Sequence, residues 1–178
     1  MGELSAAGRP AVAVKDDLRS VMRHFATGVC VVSTYSDAEP ARRHNALTIN
    51  SLTSLSLEPQ LVSLSIRRDS TFLDDLMESG VWALSILDGG GEDLARIFAR
   101  PAEERGKALR SLPAEPGAET GALVLDSAAW MECRYRDHLE AGDHLLVVGE
   151  VVGAGVRRSR SSLVFLHGAF HRVDQHAI

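Results

Sequence analysis

Residues 45–57 read NALTINSLTSLSL, a break at Glu58-Pro59 follows, and residues 61–66 resume as LVSLSI. Apolar and small polar residues alternate closely through the first stretch. Along extended chain Leu47, Ile49, Leu55 and Leu57 face one way and the hydroxyls face the other, which is the period of a strand. Proline cannot donate to a ladder, so Glu58-Pro59 separates this stretch from a second strand over 61–66.

Upstream, residues 29–35 are β-branched and apolar and form another strand, closed by turn chemistry over 36–40. Before it, Leu18, Val21, Met22 and Phe25 fall at i, i+3, i+4 and i+7, the stripe of an amphipathic helix that Asp16 and Asp17 start and Gly28 stops. Downstream, Asp69 or Ser70 caps a short helix carrying Phe72, Leu73 and Leu76, ended by Gly80. Residues 81–87 are a strand, a glycine turn follows Asp88, and a second short helix carries Leu94, Ile97 and Phe98 to a stop at Pro101. Residues 101–120, rich in Pro, Glu, Arg and Ala, read as a long exposed connection. Strands follow at 122–125, 128–137, 144–155 and 162–173, the last two parted by a Gly/Ser/Arg loop. Strands outnumber helices and several are consecutive. This predicts a mainly β (α+β) fold, an antiparallel barrel with short helices covering its ends, rather than a parallel sheet built from crossovers.

The 178 residues suit one domain with a full core, and 45% hydrophobic against 24% charged residues excludes the disordered and fibrous classes. Residues 1–14 lack any period and are expected to be a flexible arm ahead of one domain over 15–178. A net charge of −5 gives no nucleic-acid footprint. The one basic cluster, Arg157, Arg158 and Arg160, sits among serines and glycines and reads as a solvated hairpin loop. Cys30 and Cys133 lie far apart inside apolar or strand-like runs, which fits free thiols in a reducing cytosol. Ser, Arg or Glu interrupts every apolar run short of a membrane span. The first residues lack the basic flank and apolar core of a signal peptide, and Ala6 stands where myristoylation of Gly2 requires Ser or Thr. The expected compartment is the cytoplasm.

Familiar catalytic motifs are missing. No G-x-G-x-x-G follows a strand; Gly149, Gly153 and Gly155 have a different spacing. There is no Walker A loop, nucleophile elbow or H-E-x-x-H, and His138 and His144 have no Cys or third His beside them, so no metal site is expected. What remains is a hydroxyl-rich strand pair, Thr48, Asn50, Ser51, Thr53 and Ser54, then Ser65, Arg67, Arg68, Ser70 and Thr71. Neutral donors suit the carbonyls and ring nitrogens of a flat heterocycle. Arginine beside Ser/Thr at a helix N-terminus suits a phosphate. By spacing alone the same hydroxyls suit a strand face turned to solvent.

Three segments occur in order: Phe25-Ala-Thr-Gly-Val-Cys-Val-Val, Leu47-Thr-Ile-Asn-Ser-Leu-Thr-Ser-Leu-Ser-Leu-Glu-Pro, and Leu61-Val-Ser-Leu-Ser-Ile-Arg-Arg-Asp-Ser-Thr. Phe98-Ala-Arg-Pro, Trp130-Met-Glu-Cys-Arg, Ala141-Gly-Asp-His-Leu and a closing His-Gly-Ala-Phe follow them. Over residues 17–173 the series resembles the flavin reductases that serve two-component monooxygenases, members of the split-barrel flavin-binding superfamily. The resemblance implies an antiparallel Greek-key split β-barrel with short flanking helices, and a homodimer. It implies reduction of FAD or FMN, as substrate or loosely bound cofactor, by NADH or NADPH, and supply of free reduced flavin to a separate monooxygenase. NADH is favoured, since no clamp for a 2′-phosphate is evident.

Carried over by the same resemblance, Thr48, Asn50 and Ser51, with Leu47, line the flavin ring and ribityl chain. Ser65, Arg67, Ser70 and Thr71 hold its phosphate, Arg100 joins that set, and His144 positions the nicotinamide. The family usually has Phe where Leu52 stands. It often shows Tyr-His two residues before the final Gly, where this chain reads Phe165-Leu166, so His167 stays outside the site. The rival readings are a flavin oxidase of the pyridoxamine-phosphate type and a protein that binds flavin without turnover.

Overall fold

The computed structural model describes residues 14–37, 41–157 and 161–174. The arm over 1–13, and Arg158 and Arg160 of the basic cluster, lie outside the described residues. A helix α1 (Val14–Met22) and a two-residue strand β1 (Thr27–Gly28) lead into β2 (Cys30–Ser36) and β3 (Arg43–Ile49). Strands β4 (Thr53–Leu57) and β5 (Gln60–Arg67) form a hairpin, and α2 (Thr71–Ser79) connects it to β6 (Val81–Ile86). Helices α3 (Glu92–Phe98) and α4 (Ala102–Leu109) follow, then the short pair β7 (Ala114–Pro116) and β8 (Leu123–Leu125). Two hairpins complete the order: β9 (Ala129–Ala141) with β10 (His144–Val156), and β11 (Ser161–Leu166) with β12 (Ala169–Asp174).

Seven strands form the main sheet in the order β3-β2-β6-β9-β10-β5-β4, every pair antiparallel. Its two edge strands, β3 and β4, are consecutive in the chain and joined only by Asn50, Ser51 and Leu52. That link holds their ends within ~15 Å, whereas a flat sheet of this width would part them by ~29 Å. The sheet therefore curls until its edges approach without pairing, as a split barrel.

Strand β2 shows why its sequence runs apolar without alternation. Cys30 and Val32 enter a core with Leu64, Ile66, Trp82 and Val147, closed by Phe72 and Leu76 of α2. Val29 and Val31 enter a second core with Ala95, Phe98, Leu109 and Leu163. Both faces are covered, so both carry apolar side chains. Helix α2 ends where local chemistry sets it. The Ser70 side chain accepts the Phe72 N–H, and Gly80 closes the last turn at φ 66°, a left-handed conformation that costs glycine little.

Four expectations change. Residues 45–57 are two strands rather than one run, and Leu55 and Leu57 stand 48% and 85% exposed on the edge strand. Residues 101–120 are mostly exposed but are no bare connection. Helix α3 stops before Pro101 as expected, Pro101 then leads into α4, which buries Arg105 and Leu109, and β7 pairs with β8. Residues 162–173 form a hairpin that turns at His167 and Gly168. Helix α1 stops at Met22, and the apolar stripe of Leu18, Val21, Met22 and Phe25 faces outward, each residue between 51% and 62% exposed. Among the described residues no helix is long and apolar enough to cross a membrane.

Candidate active site

Where β3 and β4 part, the chain encloses a cleft of about 330 Å³. Leu47, Thr48, Ile49, Asn50 and Ser51 line one side; Ser65, Ile66, Arg67, Ser70 and His144 line the other. Eight residues named from the sequence thus meet: Leu47, Thr48, Asn50, Ser51, Ser65, Arg67, Ser70 and His144. Topology brings them together, because β10 pairs with β5 and sets His144 opposite Arg67. Thr71 and Arg100 are exposed outside this lining, and Arg100 pairs with Glu104 at 3.6 Å. Three further hollows reach Asn50. One of about 190 Å³ lies against Phe165 and Phe170, one of about 530 Å³ against Met22, Phe25 and Leu52, and one of about 310 Å³ against Arg23, Phe25 and Gly168. Together they provide the space of a small-molecule site.

The hydroxyls do different work from one another. Strand β4 pairs with β5 at Thr53 and Ser63, and the next rung would join Ser51 to Ser65. There the backbone ladder stops, and Ser51 Oγ takes its place, donating to the Ser65 carbonyl at 3.0 Å and accepting the Ser65 N–H at 3.1 Å. Thr48 Oγ1 donates to the Ala95 carbonyl at 2.8 Å and straps β3 to α3. Asn50 Nδ2 donates to Thr27 Oγ1 at 3.2 Å. Buried or half-buried backbone polar groups need partners, and at a split edge side chains supply them.

The charges are compensated. Arg67 forks onto Asp69, with Nε to Oδ1 at 2.9 Å and Nη2 to Oδ2 at 2.5 Å, and this bond holds the Asp69 carboxyl below the usual carboxylate range. His144 Nδ1 lies 2.9 Å from Asp143 Oδ1, a contact that likewise holds the Asp143 carboxyl low. A carboxylate only accepts, so Nδ1 donates and Nε2 remains for a ligand. Sequence reasoning missed Asp69, Asp143 and Thr27; each stood inside a quoted motif, but nothing in the spacing showed what its side chain holds. Burial pushes the Cys30 and Cys133 thiols up to about 12, so neither is a nucleophile at neutral pH. Among the described residues no group of three or more His, Cys, Asp or Glu is placed to hold a metal.

The flavin reductase like domain model matches residues 22–174, most of the chain. This chain is a member of the flavin reductase-like family. The flavin reductase (NADH) of Kitasatospora aureofaciens is 39% identical over 151 residues, 83% of this chain and 75% of that protein. The reductase component of the flavin-dependent trigonelline monooxygenase of Acinetobacter baylyi is 32% identical over 135 residues, 76% of this chain but 42% of the longer relative. The NADH:FAD oxidoreductase of Streptomyces globisporus C-1027, solved in complex with NAD and FAD fragments, superposes with a TM-score of 0.82. It is 31% identical, over 93% of this chain and 96% of that one. These similarities bear out the family and the split-barrel class expected for a flavin reductase-like chain.

Proposed function

We propose that this flavin reductase-like protein oxidises NADH, reduces FAD or FMN, and supplies the reduced flavin to a separate monooxygenase. The observation that carries the reading is the cleft itself. Leu47, Ile49 and Ile66 give it apolar wall, Asn50 a neutral amide, and Arg67 beside Ser70 a cation at its mouth. Those residues fit a flat heterocycle with a phosphate tail. The phosphate reading rests on Ser65, Arg67 and Ser70, which line the cleft, rather than on Thr71 and Arg100, which do not.

When bound, the flavin supplies the hydride acceptor, and the protein supplies orientation and electrostatics. Asn50, exposed where the hollows meet, offers hydrogen bonds to the polar edge of the ring. His144, with its Nδ1 on Asp143, presents Nε2 to the carboxamide of a nicotinamide. It thereby positions the dinucleotide without entering the bond change. Leu47, Thr48 and Ser51 shape the cleft wall, the last two through their straps to the fold.

We infer a homodimer. The outward stripe of α1 and the outer edge of β4, with Leu55 and Leu57 exposed, offer apolar surface for a second copy to cover. Sedimentation at low micromolar concentration should give twice the monomer mass, and a monomer that still reduces flavin overturns the inference. We place the protein in the cytoplasm on its free, buried cysteines. The division of labour follows the Acinetobacter relative, itself a monooxygenase reductase component.

Steady-state NADH oxidation with FAD, FMN and riboflavin supplied in turn tests the activity. NADH consumption should require added flavin. Consumption with none of the three overturns the reading, and yellow colour retained through dialysis points instead to a protein that keeps its flavin.

A further inference from the structure

We propose that Asp69 sets how tightly this cleft holds a flavin, by competing with the flavin phosphate for the guanidinium of Arg67. The inference rests on the flavin reading above and names a residue outside the cleft lining.

Arg67 ends β5 at the cleft mouth. Its Nε and Nη2 both lie on the Asp69 carboxylate, at 2.9 and 2.5 Å. A forked guanidinium offers those same N–H groups to a phosphate, so phosphate and carboxylate seek one binding face. The turn that carries Asp69 is pinned on either side. The Ser70 N–H donates to the Arg67 carbonyl at 3.2 Å, and the Arg68 N–H donates to the Asp143 carbonyl at 3.0 Å. Arg68, the neighbouring cation, is itself paired with Glu140 at 3.2 Å. Asp69 is thus held within reach of Arg67 while the second cation at the mouth is already engaged.

The pair is exposed, its two side chains at 65% and 68%. Exposed ion pairs contribute little, so exchange of one anion for another on Arg67 is easy in both directions. A flavin phosphate displaces Asp69 and then sits beside the carboxylate it displaced, a like charge that opposes it. The phosphate therefore adds less affinity than an uncontested Arg67 would give it, and the reduced flavin is let go. A resident cofactor would be better served by a free Arg67.

The test measures dissociation constants for FMN and riboflavin in wild type, Asp69→Asn, Arg67→Gln and the double variant, at low ionic strength. Asp69→Asn should tighten FMN about threefold to tenfold, the range of an exposed pair and a nearby like charge. Riboflavin, which lacks phosphate, should change less than about twofold on the same electrostatic reasoning. The gain should fall to less than half in the Arg67→Gln background, where only the like charge is removed, and shrink in high salt. Rescue of wild-type weakness by Asp69→Glu, which keeps the charge, separates competition from a structural role of the turn. Unchanged or weaker FMN binding by Asp69→Asn, while Arg67→Gln still weakens FMN selectively, overturns the role of Asp69 and leaves the phosphate site standing. Tightening that is undiminished without Arg67 also overturns it, since the effect is then the general field. If Arg67→Gln alters neither flavin, the phosphate site itself fails, and Asp69 with it.

Discussion

Ser51→Ala removes the hydroxyl that occupies the missing rung between β4 and β5. The fold then loses both contacts to Ser65, one donated at 3.0 Å and one accepted at 3.1 Å. A backbone donor or acceptor left without a partner costs about 1–3 kcal/mol. Ser65 is half-buried beside an open cleft, so water replaces part of the loss. About 1–2 kcal/mol should remain. For a chain of 178 residues that lowers the melting temperature by ~2–8 °C. The link through Asn50, Ser51 and Leu52 should also loosen against β5, weakening riboflavin, FMN and FAD by one common factor. Calorimetric melts with flavin titrations on the same preparations measure both effects. An unchanged melting temperature combined with lost flavin binding refutes the reasoning, because the hydroxyl would then serve the ligand and not Ser65.

His144→Ala should slow flavin reduction by NADH or raise the NADH KM by roughly 10- to 100-fold, with flavin affinity unchanged, because the imidazole positions and does not react. Stopped-flow reduction across NADH concentrations checks it, and an unaltered rate removes His144 from the site. Cys30 and Cys133, raised by burial from 9.0 to about 12, should resist alkylation in the native protein at pH 8 and react once it is unfolded. Because the folded pKa is raised, their contribution to stability is full below pH 9 and is lost as pH rises from 9 towards 12, so the urea midpoint should fall over that span. Gly149 lies where the β9–β10 register shifts, and a Cβ there would overlap Cζ2 and Cη2 of the fully buried Trp82. Gly149→Ala should cost about 1–3 kcal/mol of overpacking, read from denaturant unfolding, and a wild-type midpoint would show that the ring yields.

Features set by neighbouring residues were legible in the sequence. Ser70 and Gly80 bound α2 through caps that need only local chain. The alternation in residues 61–66 survives as β5, which pairs in unbroken register with β10 and, across a bulge between Ser54 and Ser56, with β4. The eight clustered site residues came from motif resemblance, and the topology explains their meeting: the two sheet edges are consecutive strands. Features set by distant contacts were not legible. Proline suits a helix start as well as a stop, and only the burial of Arg105 and Leu109 shows that Pro101 does both. The period of α1 gives a helix but not what covers its stripe. The turn at His167 and Gly168 carries no Asn-Gly or Pro signal, and so a hairpin read as one strand.

Closing the barrel would pair β3 with β4 and fill the cleft with backbone. The split leaves an edge whose polar groups still need partners, and Ser51 supplies them to Ser65, while Thr48 on the Ala95 carbonyl of α3 and the amide of Asn50 on the Thr27 hydroxyl tie the adjoining chain to the fold. Within the run that reads from spacing as a solvent-facing strand, Thr53 and Ser54 do face solvent, while Thr48, Asn50 and Ser51 tie the split edge to the rest of the fold. Those ties have a chemical consequence for what the cleft can hold. Donors already engaged with the fold are not free to grip a ligand, and the cation at the mouth is engaged with Asp69. The remaining recognition is apolar wall, the Oδ1 and second N–H of the exposed Asn50 amide, and exchangeable charge, a set suited to orienting a flat ring. Retention is the property a reductase must lack if its product is consumed elsewhere, and hydroxyls committed to the fold rather than to a ligand favour the release proposed above.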